Sequence, residues 1–154
     1  MKKQKLLIVD DEPLNVELIE KNLSKDYEVI KASTGIEALT KVVRTRPDIV
    51  LLDIMMPNMN GYAVCKEIKN NWKDMPIPIL VISPLKERED KMKAIEAGAD
   101  DFIIDPVDMR ELDARVKSLL MLKHHEKPDI TPVLNSTNPS SNIAFLAPLT
   151  IDCT

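Results

Sequence analysis

The sequence predicts a doubly wound α/β domain, with a five-stranded parallel sheet and helices on both of its faces. Three observations predict it. Short apolar runs recur along the chain: "LLIV" (6–9), "DIVLL" (48–52), "PILVI" (78–82) and "DFII" (101–104), with a weaker "YEVIKA" at 27–32. Longer stretches with helical spacing separate them. The runs also lack the polar alternation of a half-wet sheet, so their strands are buried on both sides, as parallel strands are.

Taken in order, the first run is followed by a helix over 14–23, where Leu14, Leu18, Ile19 and Leu23 repeat and Pro13 suits the first turn. After the second strand, Thr34 can cap a helix over 34–44 that carries Ile36, Leu39 and Val43. The third run ends at Asp53 and a loop, "IMMPNMNG", in which Pro57 and Gly61 shape a turn. Val64, Cys65 and Ile68 mark a helix over 61–70. The fourth run ends at Ser83, and Met92 and Ile95 mark a helix over 87–97 that Gly98 stops. Asp108 can cap the last helix, 108–122, with Leu112, Val116, Leu119 and Leu120 on its apolar stripe.

This assigns one α/β domain to residues 1–123. Residues 124–154 differ: "PDITPVLNSTNPSSNIAFLAPLTIDCT" holds four prolines and seven Ser/Thr with little charge, the composition of a linker or tail. Within it, "IAFL" is the one segment apolar enough to dock.

Charge and composition exclude several classes. The chain of 154 residues has a formal net charge of −4 and no Lys/Arg run longer than "KK", which argues against nucleic acid as a direct partner. The apolar start is too short for a signal peptide, and no run approaches a membrane span, so a cytoplasmic protein without membrane contact is expected. Cys65 and Cys153 have neither metal nor redox spacing and fit a reducing compartment.

In a parallel sheet the carboxyl ends of all strands point one way, and sites form there. Asp10 and Asp11 follow the first strand, Asp53 the third and Ser83 the fourth; Asp105 ends the fifth. Clustered carboxylates repel unless a cation compensates them, and Mg²⁺ suits oxygen ligands of this kind. A carboxylate beside such a metal can attack a phosphoryl group to give an aspartyl phosphate. Each acid also has a plainer reading: Asp10 and Asp11 as helix caps, Asp53 as a turn acid. Four strand ends carrying such side chains together make the plain reading much the poorer.

The motifs "LLIVDDEP", "VLLDIMMPNMNGY", "LVIS" and "EAGADDFIIDPVD", in this order and spacing, resemble the receiver domain of two-component response regulators over about residues 5–122. The closest flavour is the PleD type, which often precedes a diguanylate cyclase domain; nothing like "GGDEF" is present in this chain. The resemblance implies a flavodoxin-like sheet of order 2-1-3-4-5. It implies that Asp53 accepts a phosphoryl group from a sensor histidine kinase or phosphotransfer protein. It makes Asp10, Asp11, Asp53 and the Met55 carbonyl the Mg²⁺ ligands, Ser83 the phosphoryl-sensing hydroxyl and Phe102 the aromatic switch. The face formed by helix 4, strand 5 and helix 5 would carry the signal, by homodimerisation or to an output domain.

Two positions depart from that family. Asp105 stands where receivers carry a lysine whose ammonium contacts the acceptor carboxylate and the phosphoryl oxygens. One charge pair at ~5 Å and an effective dielectric near 20 is worth about 3 kcal/mol, so a reversal of sign is a large change. Pro84 follows Ser83 where the family has a small residue whose amide donates to the phosphoryl group, and proline has no N–H. Three outcomes are open: phosphorylation that leans more on Mg²⁺, a degenerate pseudo-receiver acting as a dimerisation or docking adaptor, or Asp105 as a further cation ligand.

Rival chemistries fit less well. An aspartyl-phosphate phosphohydrolase wants a second Asp two residues after its nucleophile, where this chain has Met55. A nucleotide-binding module wants glycines in the first loop, and "DDEPLN" has none. No enzyme turning over a substrate of its own is expected. Lesser signals have ordinary readings: Met55, Met56 and Met59 as loop and core packing, His124 and His125 at a helix C-terminus, and Trp72 as a partly exposed loop residue.

Overall fold

A computed structural model describes residues 2–56, 59–84 and 87–125. The expectations for Pro57, Cys153, "IAFL" and the tail beyond residue 125 lie outside these residues, as do the side chains of Met59, His124 and His125.

Five strands form one parallel sheet: β1 (Gln4–Val9), β2 (Tyr27–Ala32), β3 (Ile49–Asp53), β4 (Ile79–Ser83) and β5 (Asp101–Ile104). Their order is β2-β1-β3-β4-β5, as the resemblance to receiver domains implied. Helices α1 (Pro13–Leu23), α2 (Gly35–Thr45), α3 (Gly61–Asn71), α4 (Arg88–Glu96) and α5 (Met109–His125) connect and follow them. The chain leaves β1 toward β2 on one side and later adds β3 on the other. The topological switch therefore lies between β1, which Asp10 follows, and β3, which ends in Asp53.

The sheet is a double-sided core. On one face Val9, Leu52 and Val81 pack with Ala38, Val42, Val64, Ile68 and Ala94 from α2, α3 and α4. On the other, Ile8, Leu51, Leu80 and Ile103 pack with Ile19, Leu23, Leu112 and Val116 from α1 and α5. Leu7, Val50, Leu52, Ile79 and Leu80 are wholly shielded from solvent. Burying a Leu, Ile or Val side chain contributes about 1.5–3 kcal/mol.

In three helices only part of the predicted apolar stripe faces the sheet. Leu14 and Leu18 of α1, Ile36 and Val43 of α2, and Met92 and Ile95 of α4 are exposed. Their inward positions are Ile19 and Leu23, Ala38 and Val42, and Ala94. Leu39 of α2 also packs, half-buried, on this core beside Ala38 and Val42. In α3 and α5 the predicted stripes, Val64, Cys65 and Ile68, and Leu112, Val116, Leu119 and Leu120, are the buried ones.

The predicted punctuation is in place. Thr34 Oγ1 accepts from the Glu37 amide at 3.0 Å, and Glu37 accepts from the Ser33 amide at 2.8 Å, closing the entry to α2. Asp108 accepts from the Arg110 amide at 2.8 Å. Gly98 holds φ +101°, where a side chain is strained. Trp72 lies at the end of α3, half-buried beneath the Arg46 guanidinium, 4.1 Å from its ring centroid. The loop after Asp53 holds more order than a simple turn: Met55–Met56 pairs antiparallel with Met59–Asn60.

Candidate functional site

Strand register decides which side chains meet. Val9 lies beside Leu52 and Asp53 beside Ile82, so Asp10 and Asp53 emerge at the same level from neighbouring strands. Ser83 stands one residue further along β4, next to Ile104, and Asp105 one step beyond that. The Asp105 amide donates to the Ser83 carbonyl at 2.8 Å, carrying the ladder past the end of β5. Side chains alternate across the sheet, and Asp105 has the parity of Ile103, which shares a face with Ile8 and Leu51.

The result is a pocket of about 420 Å³ at the carboxyl ends of the strands, lined among others by Asp10, Asp11, Asp53, Ser83, Pro84 and Asp105. Asp10, Asp11 and Asp53 each bring one carboxylate oxygen within 4.8 Å of the others. Asp10 and Ser83 are buried, Asp53 is half-buried, and Asp11 and Pro84 are exposed. Met55 is exposed on the rim. Of the predicted site residues only Phe102 stands apart: it does not line the pocket and packs, half-buried, on the opposite face of the sheet with the α2–α4 core.

Local hydrogen bonds aim the acids. Asp10 accepts from the Glu12 amide at 2.9 Å, and Asp53 from the Met55 amide at 3.0 Å. The helix-cap reading of Asp10 and Asp11 is corrected: the N-cap of α1 is Glu12, and Asp10 turns instead toward Asp53 and Asn15. The turn reading of Asp53 holds alongside its place in the pocket, because its second oxygen remains for other partners. Gly61 keeps this loop tight. A Cβ there would meet the Ile54 Cα at 2.7 Å and the Asp53 carbonyl oxygen at 3.1 Å.

Electrostatically the pocket is strongly negative. Burial, then the charge of Asp10, its shared hydrogen bond, and the charge of Asp11 push Asp53 up to about 6, against the pull of the Met55 amide. Burial likewise raises Asp10, which the Glu12 amide partly offsets. Acids at Asp10, Asp11, Glu12, Asp53 and Asp105 line the pocket, and no basic side chain does so among the described residues. An array of hard carboxylate oxygens around a cavity of this size fits Mg²⁺, which keeps several waters and takes one or two carboxylates. Asp10, Asp11 and Asp53 are the residues that would hold it.

Sequence reasoning missed Asn15 and Glu12. Asn15 sits in the first turn of α1 and reaches both the pocket and Asp10. Pro106, Val107 and Met109 add an apolar wall from the β5–α5 connection.

This parallel sheet, with three clustered aspartates at its topological switch, defines a class of signalling module. The chain belongs to the response regulator receiver domain family, whose model matches residues 6–117. It is 42% identical over 120 residues to the response regulator PleD of Caulobacter vibrioides, covering 77% of this chain and 26% of PleD. It is also 42% identical over 118 residues to the alkaline phosphatase synthesis transcriptional regulatory protein PhoP of Bacillus subtilis, covering 76% of this chain and 48% of PhoP. The likeness to PleD is therefore real but not distinctive. Among solved structures, a CheY-like response regulator receiver domain protein of Methanospirillum hungatei matches with a TM-score of 0.77 and 26% identity, covering 82% of this chain and 100% of that one. The chain spans about half or less of the length of these two curated relatives. Among the described residues no helix is long and apolar enough to cross a membrane.

Proposed function

We propose that Asp53 accepts a phosphoryl group from the phosphohistidine of a sensor histidine kinase or phosphotransfer protein, making the domain a phosphorylation-driven switch. The observation that supports this most is the convergence of Asp10, Asp11 and Asp53 at the β1/β3 switch point. The reaction forms a bond between an Asp53 carboxylate oxygen and phosphorus and breaks the phosphorus–nitrogen bond, and the departing imidazole takes a proton. Mg²⁺, when bound, supplies the positive charge that offsets the phosphoryl oxygens.

The chain's own groups do the rest. Asp10 and Asp11 hold the cation, with the Met55 carbonyl as a further ligand. The Met55 amide fixes one Asp53 oxygen and leaves the other to attack. The Ser83 hydroxyl donates to a phosphoryl oxygen, and this draws the end of β4 toward Asp53. Phe102 responds through the opposite face of the sheet, and the α4–β5–α5 surface carries the change to a homodimer partner or an output domain, of diguanylate cyclase type or another. Residues 1–123 form the receiver and 124–154 the linker or tail, and the domain serves as a phosphoryl acceptor rather than as an enzyme. The expected site of action is the cytoplasm.

Incubation with Mg²⁺ and acetyl phosphate tests the reading. A phosphoryl mass adduct that disappears in Asp53→Asn supports it. No adduct at high Mg²⁺ overturns it and leaves a docking adaptor.

A further inference from the structure

Resting on the reading of Asp53 as acceptor, we propose that Asp105 is the charge-selecting residue of this pocket: it tightens the hold on a divalent cation and opposes the phosphoryl anion. Three observations carry it. The backbone at Asp105 is pinned by the 2.8 Å bond from its amide to the Ser83 carbonyl, so the residue cannot drift from the strand ends. Its side chain is half-buried, lines the same pocket as Asp10, Asp11 and Asp53, and shares the sheet face of Asp10 and Asp53 by parity. None of the described residues lining the pocket is basic.

A fixed negative charge on the wall acts with opposite sign on the two ligands of one pocket. It attracts a divalent cation and repels a phosphoryl group carrying about two negative charges. Removing the charge therefore weakens the cation and favours the phosphoryl group. A merely structural role for Asp105 would move both in the same direction, because a damaged pocket holds neither. Pro84, which has no amide hydrogen to offer beside Ser83, leaves this charge effect without a compensating donor at that position. The resting domain is thus biased toward a cation-loaded pocket free of phosphate.

The test compares the wild type with Asp105→Asn and Asp105→Lys, each first shown to melt cooperatively. Calorimetric titration with Mg²⁺ alone reads the cation, and adduct yield with acetyl phosphate at a Mg²⁺ concentration that saturates each protein reads the phosphoryl group. Asp105→Asn is expected to weaken Mg²⁺ roughly tenfold, Asp105→Lys further, and both to raise the adduct yield. Equal Mg²⁺ affinity in all three proteins overturns the proposal, and so does a fall in both affinity and yield. If no protein forms an adduct while affinities follow the predicted order, the acceptor role of Asp53 fails and the cation half of the proposal stands.

Discussion

Asp10 and Asp53 leave neighbouring strands at one level and turn their carboxylates toward each other, close enough that burial and this pairing hold Asp53 up at about 6. Two acids in that position are costly to ionise together. An acid whose folded pKa lies above its unfolded value of 3.8 favours the folded state below that value and loses this contribution as pH rises through about 6. In metal-free buffer at pH 7.5, Asp53→Asn should therefore melt about 3–6 °C above the wild type, and the gap should narrow toward pH 4. Mg²⁺ should raise the melting temperature of the wild type more than that of the variant. Thermal unfolding followed by circular dichroism, with chelator and with Mg²⁺, measures both.

Gly61 stands where the loop bearing Asp53 crosses α3, with no room for a methyl group against the Ile54 backbone. Gly61→Ala should cost about 1–3 kcal/mol and displace the loop, because backbone rather than a flexible side chain must yield. Urea denaturation reads the stability. Mg²⁺ titration of the folded variant should show weakened binding, since the Met55 end of the loop moves with it.

Cys65 is wholly buried in α3, and burial pushes its thiol up to about 11. The reactive thiolate is scarce below that pH, and the sheet blocks access. Iodoacetamide at pH 8 should leave Cys65 unmodified over hours in the native protein and alkylate it rapidly in 6 M guanidinium (about full unfolding for a domain of this size). Peptide mapping distinguishes the two.

Lys69 ties three segments together, donating to the Ile77 carbonyl at 3.0 Å and to Asp100 at 2.8 Å, while Asp100 accepts from the Ile79 amide at 2.8 Å. Lys69→Met keeps the aliphatic stem and removes the donor. It should destabilise the domain by about 1–2 kcal/mol, more than loss of an exposed pair such as Lys117–Asp113, since Lys69 is largely covered. Parallel urea titrations of Lys69→Met and Lys117→Met check the order.

Most of the fold was legible because buried parallel strands write themselves as apolar runs, and the aspartates and Ser83 follow those runs directly. What the sequence hid was which side of a helix faces inward. Leu14, Leu18, Ile36 and Val43 advertise a stripe, yet all four are exposed, and Ala38 and Val42 face the sheet in α2. The site was legible through strand ends, whereas Asn15 was not, since a lone polar residue in a helix reads as solvent-facing until α1 is placed beside Asp10. The place of Asp105 in the pocket became certain only with the register of β4 and β5. Phe102, matched by resemblance alone, lies across the sheet from the carboxylates.

The central claim is that Asp53 accepts a phosphoryl group in a pocket lined by acids. Its most direct measurement is borohydride trapping of the acyl phosphate after acetyl phosphate and saturating Mg²⁺, followed by peptide mapping. The predicted result is a single trapped site at Asp53, absent without Mg²⁺ and absent in Asp53→Asn. A trapped group on Asp10, Asp11 or Asp105, or none at all in a folded, Mg²⁺-loaded protein, would contradict it.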